Sequence, residues 1–217
     1  MEGRLRSVTF PGPAGALEGL WKEASEPRRG SAVFAHPHPL HGGTLHNKVV
    51  YRATQALARS GWETLRFNFR GVGVSQGRYD AGRGEVEDFR AAMDEADKTA
   101  GRPMVAGGFS FGSAVGLKAA AGDPRLAAFV ALGVPLATES GRMLPVPVVP
   151  SLFVVGEYDR FGPPEDLARF LAGRHRMVVV PGADHFFEGQ RELLGETIAE
   201  FLASLPAAAR PAAEAPA

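Results

Sequence analysis

The chain has 217 residues, of which 45% are hydrophobic and 22% are charged, as expected for one globular domain large enough to bury a full core. Lysine plus arginine and aspartate plus glutamate both number 24, so the formal net charge is zero and the basic footprint of a nucleic-acid-binding protein is absent. The absence of cysteine excludes disulfides and a thiol nucleophile.

Secondary-structure patterns alternate along the chain. Segments 4–10 and 16–24 alternate apolar and polar residues around a Pro- and Gly-rich turn, which predicts an antiparallel hairpin. Short apolar runs then alternate with helically spaced segments. This alternation predicts right-handed crossovers and a mainly parallel sheet with helices on both faces. Strands are predicted at 32–35, 62–69, 103–109, 126–134, 150–155 and 177–180, and helices at 47–60, 85–100, 111–121, 163–172 and 192–205.

The chain is predicted to form a single domain over residues 1–205, and the Ala- and Pro-rich segment 206–217 is predicted to be a disordered tail. The first ten residues mix charges and contain no apolar signal region. The longest mainly apolar stretch, residues 126–137, is too short to cross a bilayer. We therefore expect a cytoplasmic protein, monomeric or homodimeric, with no nucleic-acid or membrane partner.

The segment Gly108-Phe109-Ser110-Phe111-Gly112 joins a predicted strand to a predicted helix. It has the G-x-S-x-G spacing of a nucleophile elbow, in which a sharp turn raises a serine hydroxyl above the sheet. The two glycines have a steric reason, because a Cβ at either position would collide with the neighbouring strand or helix. The motif predicts that Ser110 is a nucleophile.

A serine nucleophile needs a base, and two histidines follow Ser110. His185 comes just after the predicted strand 177–180, whereas His175 precedes that strand. Functional groups of parallel sheets gather beyond the carboxyl ends of the strands. The pattern therefore favours His185 as the base and predicts a surface role for His175.

The base in turn needs a carboxylate to orient it. Asp159 follows the predicted strand 150–155 and precedes a turn that can direct its side chain across the strand ends. Glu157 and Asp184 are the competing acids, but Asp184 adjoins His185 in sequence and is expected to brace that loop. Asp159 is therefore the predicted acid.

An acyl-transfer site also needs two N–H donors for an oxyanion. One is expected from the main chain of Phe111, and the second from the loop after the first parallel strand, His-Pro-His-Pro-Leu-His-Gly-Gly at residues 36–43. Because its two prolines have no N–H, the second donor is either His38 or Leu40. The interpretation favours His38 and leaves Leu40 open.

The chain resembles the lidless α/β-hydrolases of the small dienelactone-hydrolase-like serine carboxylesterase group. The resemblance implies an α/β-hydrolase fold, a Ser110, Asp159 and His185 triad, and ester hydrolysis with no cofactor and no metal. The lipase-type His-Gly-Gly-Gly oxyanion loop is replaced by His-Pro-His-Pro. The matching segments run over roughly residues 5–205 and are 36–43, 67–77, 108–112, 156–159 and 182–187.

Three other functions have a basis in the sequence. The glycine-rich segment 69–77 imitates a dinucleotide fingerprint, although its spacing is G-x-G-x-x-x-G and it follows the second parallel strand. Four histidines at 36, 38, 41 and 46 resemble part of a zinc site, with Leu40 in place of the expected aspartate. A non-catalytic binding protein on the same scaffold is the third alternative.

The substrate is expected to be a small ester. About 15 residues separate the strands between which relatives insert a lid, so no large lid is predicted. We expect an open apolar cleft bounded by Phe109, Phe111, Phe161, Phe186 and the apolar residues of the loop 135–149. Such a cleft would favour short-chain acyl esters, with a thioesterase or a peptidase as the alternative use of the same triad.

Overall fold

The computed structural model describes residues 3–206 and contains eight strands and five α-helices. The predicted tail lies outside the described residues, apart from Pro206. The strands are β1 (Leu5–Gly12), β2 (Gly15–Lys22), β3 (Gly30–Ala35), β4 (Trp62–Phe67), β5 (Met104–Phe109), β6 (Leu126–Leu132), β7 (Ser151–Gly156) and β8 (Arg176–Val180). The helices are α1 (Lys48–Arg59), α2 (Arg83–Ala100), α3 (Phe111–Ala119), α4 (Pro164–Leu171) and α5 (Arg191–Ser204).

The strands form one sheet in the order β1-β2-β4-β3-β5-β6-β7-β8. The hairpin of β1 and β2 is antiparallel and joins β4 in antiparallel register, while β3 to β8 run parallel. Every residue of β4, β5 and β7 is buried, and β5 and β7 accordingly consist almost entirely of apolar residues and glycine. The predicted mainly parallel sheet with an N-terminal hairpin is confirmed.

Helices cover both faces of this sheet. Along β6, Val130 packs with the helices α1 and α5, whereas Phe129 and Ala131 pack in the cluster that contains residues of α2, α3 and α4. This division follows from the strand geometry, because successive side chains point to opposite faces. The carboxyl ends of the parallel strands are consequently the edge left available for a site.

Several element ends differ by two residues from their predicted positions, and two of these differences have a clear local reason. The strand β4 ends at Phe67, because the Asn68 main chain turns to donate to Glu18 O at 2.8 Å. The helix α2 begins at Arg83, because the Glu85 carboxylate accepts from the Gly82 N–H at 2.8 Å and thereby closes the helix start. Glu85, the predicted first residue, therefore lies within the first turn.

No large lid covers the strand ends. Between β6 and β7 the chain forms only one short 3₁₀ turn, Glu139–Gly141, as the loop length predicts.

In the described part of the chain, residues 3–206, none of the helices combines the length and the hydrophobicity needed to span a bilayer.

Candidate active site

Ser110 lies at the turn between β5 and α3, with φ at +53°. This left-handed conformation is unusual for a residue with a side chain. Its neighbours make the turn possible, because a Cβ on Gly108 would collide with Gly112, and a Cβ on Gly112 would lie 2.5 Å from His36 O. The predicted strand-to-helix elbow is therefore present.

Three predicted side chains meet above the sheet although they lie far apart in sequence. The Ser110 hydroxyl lies 2.9 Å from His185 Nε2, and His185 Nδ1 lies 2.8 Å from Asp159 Oδ2. With the imidazole neutral, Nδ1–H donates to the carboxylate and Nε2 accepts from the hydroxyl. This order of groups can remove the serine proton while it holds the imidazole in one tautomer.

The Asp159 carboxylate is fixed on its other side. Its Oδ1 accepts from the N–H groups of Phe161 at 2.9 Å and Gly162 at 3.1 Å, and the residue is buried. The turn after Asp159 thus directs the side chain toward the base, as its sequence indicates. Desolvation strengthens the charged hydrogen bond to His185, because little water competes for it.

The competing acids and the second histidine have other partners. Asp184 is exposed and accepts from the Phe186 N–H at 2.9 Å, so it braces the loop as expected. Glu157 accepts from the Gly182 N–H at 2.7 Å and so helps to fix the same loop. His175 lies before β8 and packs against Phe153, with a ring separation of 5.8 Å.

The loop after β3 is held by a second buried histidine. His36 Nε2 accepts from the Phe69 N–H at 3.1 Å, and Nδ1–H donates to Pro37 O at 2.6 Å. Burial lowers the pKa of His36 from the ordinary value of 6.5 to about 4, despite the opposing effect of the Pro37 hydrogen bond. His36 is thus a neutral clamp between two loops.

The two candidates for the second oxyanion donor differ in the partners of their N–H groups. The Leu40 N–H is used, because it donates to His38 Nδ1 at 3.2 Å, and its side chain is largely exposed. By contrast, the N–H groups of His38 and Phe111 donate to no other residue of the described chain. Both residues line the same cleft as Ser110, and their rings lie 4.9 Å apart.

Comparison with known proteins agrees with this fold. Residues 29–212 match the family of α/β hydrolase domains. The chain belongs to that family. An uncharacterized protein of Rickettsia prowazekii (strain Madrid E) is 33% identical over 215 residues, which cover 93% of this chain and 90% of the relative.

Two solved structures are also similar to this hydrolase. An α/β serine hydrolase homologue from Coxiella burnetii is 36% identical with a TM-score of 0.84, and the alignment covers 90% of this chain and 96% of that one. A serine hydrolase without a lid from Xanthomonas campestris is 28% identical with a TM-score of 0.85, over 95% and 97% of the two chains. The predicted lidless α/β-hydrolase fold is confirmed.

The cleft of the hydrolase differs from the predicted one in two respects. Phe109 does not line it; it is fully buried, and its ring lies 5.2 Å from that of His185. This prediction was wrong, because the side chain of Phe109, the last residue of β5, packs in the core with residues of α1 and α5. Phe111, Phe161 and Phe186 do line the cleft.

The second difference is polarity. The cleft has a volume of about 470 Å³, and of the loop 135–149 only residues between Pro135 and Ser140 line it. Many of its lining side chains are polar rather than apolar as expected. Those that the sequence interpretation missed are His41, Asn47, Tyr79, Lys118, Thr138, Glu139 and Ser140.

Tyr79 has a defined orientation in this cleft. Since His38 Nδ1 accepts from Leu40, the neutral ring carries its proton on Nε2, which lies 3.1 Å from the Tyr79 hydroxyl. Burial, followed by the influence of His41, lowers the pKa of His38 and favours this neutral form. The Tyr79 hydroxyl therefore accepts from His38, which leaves its own proton to donate elsewhere.

The glycine-rich segment 69–77 has a structural role. Gln76 forms two hydrogen bonds of 2.8 Å with the main chain of Ala16, so the segment binds the N-terminal hairpin. Arg70 forms a salt bridge with the Asp88 carboxylate through two contacts, at 2.9 and 2.7 Å. The geometry offers no support for the dinucleotide alternative.

The histidine-rich loop gives no support to the zinc alternative. Among residues 3–206, no group of three or more His, Cys, Asp or Glu side chains is arranged to hold a metal ion. Both nitrogens of His36 have main-chain partners, and His46 is exposed.

Proposed function

We propose that this α/β hydrolase is a serine-dependent carboxylic ester hydrolase that cleaves short-chain acyl esters through an acyl-enzyme intermediate. The observation that carries the proposal is the continuous hydrogen-bonded series from Ser110 through His185 to Asp159. Ser110 lines the cleft, where acyl substrates could reach its hydroxyl. The three residues thus combine the groups that nucleophilic acyl transfer requires.

In the proposed first half-reaction, Ser110 Oγ attacks the ester carbonyl carbon while its proton passes to His185 Nε2. The carbonyl electron pair moves to oxygen, and the N–H groups of Phe111 and His38 donate to that oxyanion. As the tetrahedral intermediate collapses, Nε2–H gives its proton to the departing alkoxide. Asp159 accepts from Nδ1–H throughout and stabilises the transient imidazolium.

In the second half-reaction, a water molecule replaces the alcohol. His185 Nε2 removes a proton from this water as its oxygen attacks the acyl carbon, and the same donors hold the second oxyanion. Collapse of that intermediate returns the proton to Ser110 Oγ and releases the carboxylic acid. Every proton and electron pair is therefore balanced without a cofactor.

The preference for short chains has a physical basis in the cleft. A long acyl chain gains about 0.8 kcal/mol for each methylene that it buries, and it gains this only against apolar walls. Much of the present cleft is polar, and no lid closes over it. We expect catalytic efficiency to fall for long acyl chains.

Covalent labelling and a substrate series test the proposal together. A fluorophosphonate probe should add one mass increment at Ser110 and none in Ser110→Ala, whereas the exposed Ser7→Ala variant should label like the native protein. p-Nitrophenyl esters from acetate to palmitate would then measure chain-length preference. An unlabelled native protein would overturn the serine mechanism, and a palmitate optimum would overturn the short-chain assignment. A thioester or a peptide hydrolysed faster than every oxygen ester would move the function to that substrate class.

A further inference from the structure

The cleft extends away from Ser110 along one face of α3. Phe111, Val115 and Lys118 line it at spacings of four and three residues, which place them on one side of a helix. With a rise of about 1.5 Å per residue, the Lys118 Cα lies about 10 Å along the helix from that of Phe111. The far end of the substrate space is therefore defined by Lys118.

The Lys118 ammonium uses only one of its N–H groups in hydrogen bonds within the described chain. It is the one Lys or Arg that the structure of residues 3–206 places in the wall of this cleft, and it is half-buried. Its Nζ donates to Ser140 O at a long 3.4 Å, and none of the ion pairs in that described range includes it. Two N–H donors therefore remain for another group.

Among the described residues, one acidic side chain, Glu139, lines the cleft, and it does not cancel this cation. Glu139 is exposed to solvent, where its charge is screened. Its influence is felt at Tyr79, whose pKa is raised by burial and then by the charges of Glu85 and Glu139. The half-buried ammonium thus remains the uncompensated charge at the far end of the cleft.

We infer that Lys118 recognises a carboxylate that the substrate carries several bonds from its scissile carbonyl, so that anionic esters are the preferred substrate class. The inference rests on the proposed ester hydrolase function and specifies its substrate. A carboxylate at the far end would accept from the two unused N–H groups, and this contact would orient the ester carbonyl toward Ser110.

Matched ester pairs test this inference. The monomethyl esters of glutaric and adipic acid place the carboxylate on the acyl side, and methyl valerate and methyl hexanoate are their neutral counterparts. Acetyl esters of 5-hydroxypentanoate and of pentanol place it on the alcohol side. The measured quantity is the ratio of kcat/KM for the anionic ester to that for its neutral partner.

The native ratio should exceed one in the arm that matches the natural orientation. It should fall about tenfold in Lys118→Gln, since one charge-assisted contact is lost. Lys118→Arg should retain most of the ratio, and Lys98→Gln, an exposed lysine change on α2, should leave it unaltered. A ratio that is the same in native protein and Lys118→Gln in both arms would overturn the inference.

Salt dependence of the native protein supplies a readout that needs no variant. Raising NaCl from 20 to 500 mM should lower the anionic-to-neutral ratio, because screening weakens charge recognition without affecting neutral esters in the same way. A salt-independent ratio would also count against Lys118. Failure of the underlying function is distinguishable, because it would abolish turnover of both ester types and probe labelling at Ser110.

Discussion

Two buried histidines lie beyond the carboxyl ends of parallel strands, and they differ in the partners of their nitrogens. His36 follows β3 and forms both hydrogen bonds with main-chain groups, Phe69 N–H and Pro37 O. His185 follows β8 and forms both with side chains, Ser110 and Asp159. Their exposed fractions, 0% and 5%, are nearly the same.

Burial alone therefore does not make a histidine catalytic. Main-chain amides cannot exchange protons with an imidazole near neutral pH, so the contacts of His36 hold one tautomer and one position. A hydroxyl and a carboxylate instead allow a proton to enter and leave on one nitrogen while the other is held. The chemical nature of the partners assigns one histidine to the framework and the other to the proposed reaction.

The largest expected effect comes from His185→Ala. This change should lower kcat/KM by about 10⁴- to 10⁶-fold, because Ser110 loses its base. The melting temperature should change far less than the rate. Ester hydrolysis and thermal unfolding would be measured beside the exposed His46→Ala variant, which should match the native protein in both. A folded His185→Ala enzyme with native turnover would show that His185 is not the base.

Next in size is the substitution of the acid. Asp159→Asn should cost on the order of 10⁴ in kcat, because the amide favours the wrong tautomer of His185. Asp184→Asn is the matched control, since its carboxylate accepts only from the Phe186 N–H and should affect loop stability. Steady-state kinetics with melting curves would separate the two. A larger kcat loss in Asp184→Asn at unchanged melting temperature would mean that the acid is wrongly assigned.

A smaller loss is expected from the proposed oxyanion donor. His38 has φ at −53°, which proline can adopt, so His38→Pro removes the N–H with little backbone strain. His38→Ala retains that N–H and removes only the imidazole. The proline variant should lose about 10²- to 10³-fold more kcat than the alanine variant. Equal losses would show that the second donor lies elsewhere.

The smallest expected effect is on the free energy of unfolding and comes from His36. The pKa of His36 is about 4 when folded and 6.5 ordinarily, so the unfolded chain binds more protons between these pH values. Stability from this residue is therefore fully present above pH 6.5 and is lost as the pH falls toward 4. At about 1.4 kcal/mol per pKa unit, the loss is about 3 kcal/mol.

Urea unfolding at a series of pH values would measure this effect. The His36→Asn variant should be less stable than the native protein at pH 7.5, and the difference should shrink toward pH 4. His46→Asn should keep the native pH dependence. Parallel stability curves for native protein and His36→Asn would show that His36 does not titrate as described.

The sequence predicted the fold and the three proposed catalytic residues because each depends on local information. Strand ends can be located from apolar runs, and the carboxyl ends of parallel strands meet at one edge, so Asp159 and His185 could be placed near Ser110. The prolines of the loop 36–43 likewise reduced the second oxyanion donor to two candidates.

The walls of the cleft could not be predicted in the same way, because they come from loops that are distant in sequence. Tyr79 reaches the cleft through its contact with His38, and no local pattern indicates that pairing. The position of Lys118 could have been predicted, since its helical spacing from Phe111 places it on the cleft-lining face of α3. Phe109 adjoins Ser110 in sequence, but its side chain is buried in the core rather than in the cleft.

The surroundings of the His185 imidazole keep the ring in one orientation through both proposed half-reactions. A methyl group on Gly133 would lie 3.1 Å from His185 Cε1, and the rings of Phe161 and Phe109 lie 4.6 and 5.2 Å from the imidazole. Together with the hydrogen bond from Nδ1–H to Asp159, these contacts hold the ring in one orientation. In the proposed reaction, the nitrogen that receives the serine proton is therefore the nitrogen that later meets water. The pocket preserves the orientation of its base from one half-reaction to the next, so each turnover ends with the imidazole ready to begin another.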